Sequence, residues 1–328
     1  LAAYMSNETG SFADFTLRIR DLSNNTELPV KIDKVQSFVW ANDSKTLFYT
    51  VGNHALRSWR VYRHILGSAK SDELIFEEAN EQFIVGLDKS KTRDFIFIVT
   101  ASITTSEYLY LPASEPAGKF KVFIPRVKDV EYFVTHHKEK FFIKYKDRDN
   151  LNGKVYEAPL TGFEDRSTWK EVIAHNKDVK IDYIDVFDKY LSAQTRKNGL
   201  NEILILNLAD GKTKTINFPE PVYTASMTGT PEYTSATLRY RYTSLNRPNT
   251  VYDYDFAKDE SIKLKVQEIP GGFNPDDYTV ERVWATANDG VKVPMSVVYK
   301  KSLKKDGSNP ALLYSYGSYG ASSDARFI

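Results

Sequence analysis

The sequence predicts a mainly β protein, built as a β-propeller of five complete four-stranded blades and part of a sixth. Three observations predict it. Aromatic residues are abundant, with 21 Tyr and 19 Phe against 3 Met in 328 residues, and aromatic and β-branched side chains favour strands. Short runs alternate apolar and polar residues between polar turns, as in Phe15-Thr16-Leu17-Arg18-Ile19-Arg20 and Thr237-Leu238-Arg239-Tyr240-Arg241-Tyr242. That alternation marks a sheet with one buried face. The runs also come in fours, at the period of propeller blades.

Taken in order, residues 1–32 hold three runs that read as the tail of an earlier blade. The first full group is 37–41, 46–51, 59–65 and 74–77; the second is 83–87, 95–100, 107–111 and 121–124. The third is 130–135, 141–145, 154–158 and 170–173, and the fourth 181–186, 190–194, 202–206 and 213–218. The fifth is 222–227, 237–242, 251–256 and 263–266. First strands thus recur at a spacing of roughly 41 to 51 residues, one blade per period. Asn42-Asp43-Ser44-Lys45 and Ala209-Asp210-Gly211-Lys212 supply turn chemistry between strands. A β-sandwich is the competing architecture for this strand content.

Composition excludes several function classes. The 44 basic and 43 acidic residues leave a net charge of +1, which supplies no field for nucleic acid or anionic lipid. With no cysteine, disulfide and thiolate chemistry are excluded. No stretch approaches the ~20 apolar residues of a membrane span.

The texture changes after Gln267. Residues 1–268 are read as the propeller, 269–278 as a Pro/Gly/Asp-rich linker, and 279–328 as the start of another domain. Runs at 279–287 and 292–299 flank Asn288-Asp289-Gly290, a hairpin signal. After a lysine-rich loop and Pro310, the apolar run 311–314 predicts a strand buried on both faces. It breaks into Tyr316-Gly317-Ser318-Tyr319-Gly320, and Gly-rich turns at strand ends are where α/β folds place binding and catalytic groups. Both chain ends read as cut, so a fragment of a longer protein is expected.

Asn288-Asp289-Gly290-Val291-Lys292-Val293-Pro294-Met295 and Asn309-Pro310-Ala311-Leu312-Leu313-Tyr314-Ser315-Tyr316-Gly317-Ser318-Tyr319-Gly320 together resemble the propeller-to-hydrolase junction of the prolyl oligopeptidase family. The Tyr-Gly-Ser-Tyr-Gly-Ala form is most similar to the oligopeptidase B branch. Ser37-Phe38-Val39-Trp40-Ala41-Asn42-Asp43-Ser44, Val61-Tyr62-Arg63-His64-Ile65-Leu66-Gly67 and Leu238-Arg239-Tyr240-Arg241-Tyr242-Thr243-Ser244 resemble that branch too. The resemblance implies a two-domain serine peptidase, in which a seven-bladed propeller caps an α/β-hydrolase domain and admits only short peptides. It implies cleavage after Lys or Arg, no metal or cofactor, and a cytoplasmic location. The family's nucleophilic Ser, its Asp and its His match positions beyond Ile328, so the fragment alone is expected to be inactive. With about two blades missing, its ring cannot close, and the open blade edge predicts poor solubility.

Tyr316 is the one catalytic candidate. By resemblance, the second Tyr of the Tyr-x-Tyr-Gly turn donates its hydroxyl to the oxyanion of the tetrahedral intermediate, a charge that a fixed phenol can stabilise. The competing reading is a structural Tyr whose hydroxyl finds a backbone partner. The family often has Gly where this chain has Ser315. Tyr314 and Tyr319 are read as packing residues. Ser318 is rejected as nucleophile, because Gly is missing two places before it.

His54, His64, His136, His137 and His175 lack metal-ligand spacing, and the pair His136-His137 is expected at a solvated turn. Asp147, Asp149 and Asn150 lack the Gly and terminal Glu of a calcium loop and read as a hairpin turn. The loop 300–305 reads as a solvated connection, and the Arg-Tyr alternation at 239–242 as an amphipathic strand rather than a stacking surface. The leading expectation is therefore a serine oligopeptidase acting on short Lys/Arg peptides. The alternative is a non-catalytic propeller that binds proteins or peptides, which leaves the 279–328 junction unexplained.

Overall fold

The computed structural model describes residues 1–11 and 14–328. Five antiparallel sheets and one hairpin follow in chain order. The first sheet holds six strands: β1 (Ala2–Ser6), β2 (Phe15–Asp21), β3 (Thr26–Trp40), β4 (Thr46–Gly52), β5 (Ser58–Ile65) and β6 (Glu73–Glu77). The second is β7 (Ile84–Lys89), β8 (Phe95–Ala101), β9 (Ser106–Pro112) and β10 (Lys121–Val122), and the third β11 (Glu131–His137), β12 (Lys140–Lys146), β13 (Lys154–Pro159) and β14 (Lys170–Ile173). The fourth is β15 (Val179–Val186), β16 (Tyr190–Lys197), β17 (Leu200–Asn207) and β18 (Thr213–Thr215). The fifth is β19 (Thr224–Met227), β20 (Thr237–Ser244), β21 (Arg247–Asp255) and β22 (Glu260–Val266); the hairpin is β23 (Tyr278–Thr286) and β24 (Lys292–Lys300). Each strand pairs with its sequence neighbour, the meander of a propeller blade.

Two features depart from the expected pattern. The three N-terminal runs do not form a sheet of their own, because β3 runs through 15 residues and carries β1 and β2 onto the first full blade. Lys34, with φ +61°, marks the join, and register shifts flank it on both sides. A bulge of this kind lets one strand serve two pairing registers. The apolar run 311–314 forms no strand.

The chain divides into two compact units. One is Leu1–Asn150 with Lys154–Ile173, the other Leu151–Gly153 with Ala174–Ile328. In the first unit, Phe97, Phe123, Phe141, Ile143 and Phe163 form a buried cluster between the second and third sheets. Its rings meet edge-on or stacked, with Phe123 and Phe163 4.2 Å apart, the geometry in which aromatic quadrupoles attract. In the second unit, Phe187, Ile205, Leu238, Tyr240 and Tyr254 play that part. Strand β20 shows how alternation builds this core. Leu238, Tyr240 and Tyr242 point inward and are buried, whereas Arg239 points out and pairs with Asp253 at 2.7 and 2.8 Å.

The paired histidines are a correction to the sequence reading. His136 and His137 are buried, not solvated, because β11 continues through both and the turn falls at Lys138, φ +52°. His136 packs on Phe95 and Phe141, its Nδ1 2.7 Å from the Thr92 hydroxyl and 3.3 Å from Asp94. Burial pushes its imidazole below the ordinary value, and Asp94 offsets only part of that. The unfolded chain takes up this proton near pH ~6.5, whereas the folded chain refuses it until lower pH. Stability is therefore expected to fall as pH drops through about 6.5 and to level off below the folded value. Thermal melts at pH 7.5 and 5.5 should show a smaller acid loss in His136→Gln than in the parent; equal losses would refute this.

At the end of the fifth sheet, β22 is an edge strand whose seven residues are all exposed, Ile262, Leu264 and Val266 among them. Unpaired backbone beside apolar side chains templates pairing between chains. The chain 1–328 is expected to self-associate in size-exclusion chromatography, and Leu264→Lys to shift it towards monomer. A sharp monomeric peak for the parent would contradict this.

Candidate functional site

The elements that lead to Tyr316 all lie in the second unit, and its tightest turn comes first. Asn198 (φ +51°) and Gly199 (φ +76°) join β16 to β17, the two-residue turn with positive φ at both positions that favours Asn-Gly. Arg282, on β23, donates from one terminal nitrogen to the Asn198 carbonyl at 2.5 Å and from the other to Ser296 Oγ at 2.8 Å. Its Nε is buried without a hydrogen-bond partner among the described residues, and burial pushes the guanidinium below its usual value. The hairpin is also held at its base. Asn246 donates to the carbonyls of Pro275 and Tyr278, both at 3.3 Å, and Arg247 bridges Glu220 at 2.9 Å and Asp276 at 3.2 Å. Beside them lies a mostly apolar cleft of about 550 Å³, lined by Leu245, Ile269, Phe273, Tyr278, Val298 and Phe327 among others.

Beyond β24 the chain leaves the sheet. Leu312 and Leu313 are 94% and 85% exposed, because a strand that is apolar on both faces needs neighbours on both sides and the described residues supply none. Tyr314 and Tyr319, expected to pack, are exposed for the same reason. Ser318–Gly320 form one tight turn, with Tyr319 at φ +58° and Gly320 at φ +74°. A left-handed Tyr costs on the order of 1–2 kcal/mol, and at 98% exposure Tyr319 has little packing to offset it. Tyr316 is 55% exposed, and among the described residues its hydroxyl makes no hydrogen bond. Its backbone is fixed. The Tyr316 N–H donates to Ser323 Oγ at 3.0 Å, and Ser323 Oγ lies 3.4 Å from the Tyr316 carbonyl.

The residues after Ser323 dock on the sheets. Asp324 accepts from Arg196 on β16 at 2.7 and 3.4 Å. The Ala325 carbonyl accepts from Thr224 Oγ1 on β19 at 2.7 Å, and the Phe327 N–H donates to Thr243 Oγ1 on β20 at 3.1 Å. Sequence reasoning missed Arg196, Thr224, Thr243 and Asp324, since no local motif signals a pair 128 residues apart.

The other candidates divide cleanly. Asp147 accepts from the N–H groups of Asp149 and Asn150 at 3.1 and 2.8 Å, capping a hairpin turn. In the 300–305 loop, Lys305 bonds Glu281 at 2.9 and 3.0 Å. His64 and Asp72 meet at 2.8 Å, and Tyr49 donates to the same carboxylate at 2.7 Å. His64 Nε2 is buried and has no hydrogen-bond partner among the described residues. Among the described residues no group of three or more His, Asp or Glu side chains could hold a metal ion. What the site offers chemically is a half-exposed phenol on a backbone-tethered turn, able to donate to a developing negative charge.

The family model described as the prolyl oligopeptidase N-terminal β-propeller domain matches residues 1–267. A dipeptidyl aminopeptidase BI of Pseudoxanthomonas mexicana is 36% identical, over 100% of this chain and 45% of its own length. A Moraxella lacunata protein named protease 2 is 31% identical, over 99% and 47%. The solved oligopeptidase B of Leishmania major superposes with a TM-score of 0.91 at 30% identity, covering 99% of this chain and 47% of that one. The chain spans about half the length of the curated relatives it matches.

Proposed function

Because this chain belongs to the prolyl oligopeptidase family and carries its N-terminal propeller, we propose that the whole protein is a serine oligopeptidase cleaving short peptides after Lys or Arg. In this reading residues 279–328 open the hydrolase domain, a Ser-His-Asp triad follows, and the propeller limits substrate size. Tyr316 donates to the oxyanion.

The observation that carries the reading is the likeness, over nearly the whole chain, to the Leishmania major oligopeptidase B. The Tyr316 turn supports it, with its hydroxyl making no hydrogen bond among the described residues and its backbone held by Ser323. Acyl transfer needs such a donor, because the tetrahedral oxyanion carries charge that the substrate carbonyl lacks.

The test is hydrolysis of blocked fluorogenic peptides by the whole protein, with Lys, Arg, Pro or Ala before the scissile bond. Turnover after Lys and Arg, lost when the peptide is lengthened to a folded domain, is expected. Turnover after Pro would keep the family and replace the specificity. Turnover confined to free-amino dipeptidyl substrates would replace the endopeptidase reading, in keeping with the relative named dipeptidyl aminopeptidase BI. No turnover of any peptide would favour the non-catalytic scaffold.

A further inference from the structure

We infer that Arg196, on the fourth propeller sheet, is a positioning residue for the Tyr316 turn, acting through its ion pair with Asp324. The inference rests on the oligopeptidase reading for its catalytic consequence, though not for the tether itself.

An unbroken chain of contacts joins the two. One hydroxyl, Ser323 Oγ, meets both the N–H and the carbonyl of Tyr316, closing the loop 316–323 on itself. The next residue, Asp324, is clamped by Arg196 at 2.7 and 3.4 Å, with both side chains largely buried. Ala325 and Phe327 then anchor on Thr224 and Thr243. The turn itself is loosely surrounded, with Tyr319 98% exposed, so its placement depends on this foot. A two-point guanidinium–carboxylate contact fixes orientation as well as distance.

The neighbouring charges do not replace the pair. Asp182 lies 3.9 Å from Arg196 Nε and is shared with Lys180 at 2.7 Å. The Gly199 carbonyl accepts from Arg196 at 3.3 Å. Arg326 reaches Asp324 at only 3.7 Å and is solvent-facing. It sits on the segment being tethered, so it cannot tie that segment to the sheet. Catalysis is sensitive to misplacement, since an error of about 1 Å costs on the order of 10²-fold.

The experiment is a double-mutant cycle in the whole protein with Arg196→Gln, Asp324→Asn and both, plus Arg196→Lys. Each single variant is expected to lower kcat about 10- to 100-fold with KM within about twofold. The double variant should be no worse than either single one, because both remove one interaction. Arg196→Lys, keeping charge without the fork, should recover part of the loss. Hydrogen exchange should quicken in residues 313–323 of each single variant and stay unchanged in β16. Additive losses, a loss in KM alone, or unchanged exchange in 313–323 would overturn the inference. If the protein cleaves no peptide, the oligopeptidase reading fails, and exchange still decides the tether. If peptides are cleaved normally by Arg196→Gln while Tyr316→Phe is inactive, the tether fails and that reading stands.

Discussion

Replacing Tyr316 with Phe in the whole protein is expected to lower kcat by about 10²–10³-fold and to leave KM nearly unchanged. The ring stays and only the hydroxyl goes, so what is lost is one donor to the oxyanion. That donor acts on charge that forms in the transition state, which is why the loss falls on kcat and not on substrate binding. The hydroxyl makes no hydrogen bond among the described residues, and the side chain is half exposed. Removing it therefore leaves no buried group unpaired, and thermal stability should be unaltered. Steady-state kinetics with an Arg amide substrate read the effect. Equal losses in Tyr314→Phe, or none in Tyr316→Phe, would remove the catalytic role from this residue.

The largest effect on stability is expected at Phe141. It is fully buried, with ring neighbours Phe95 at 5.3 Å, Phe123 at 5.0 Å and Phe163 at 5.2 Å. On β12 it stands opposite His136 and Ala158, so it fills the space between a neighbouring ring and a small side chain. Phe141→Ala should cost about 3–5 kcal/mol, the transfer loss plus an unfilled cavity, out of a typical 5–15 kcal/mol. Phe141→Leu should retain most of that. Leu151→Ala, at an exposed position, should stay within about 0.5 kcal/mol. Denaturant unfolding of the three variants ranks them, and a Phe141→Ala midpoint matching that of Leu151→Ala would show that the cluster contributes little.

Much of the fold was legible because its determinants are local. Four-strand groups, turn residues such as Asp43 and the amphipathic strand β20 follow from side-chain period and turn chemistry, which act over a few residues. Asp43, for example, accepts from the Thr46 N–H at 2.8 Å, as an Asp in a strand-connecting turn should. The reading failed where a residue's setting depended on distant chain. His136 and His137 read as a polar turn, yet the aromatic wall of Phe95 and Phe141 buries His136. The run 311–314 read as a core strand, yet apolar sequence buries itself only where neighbouring strands are present.

The candidate site divides along the same line. The motif drew attention to Tyr316, and Ser318 could be set aside from spacing alone. That Ser323 brackets the Tyr316 backbone, and that Arg196 holds Asp324 across 128 residues, was decided by tertiary structure. Period and turn chemistry are properties of neighbouring residues, so the sequence by itself determined most of the strands, the four-stranded grouping from β7 to β22 and the resemblance, but not the joining of β1 and β2 to the first blade. An ion pair between a strand and a distant segment outside the sheets depends on where the fold brings the backbone, and only folding could decide it.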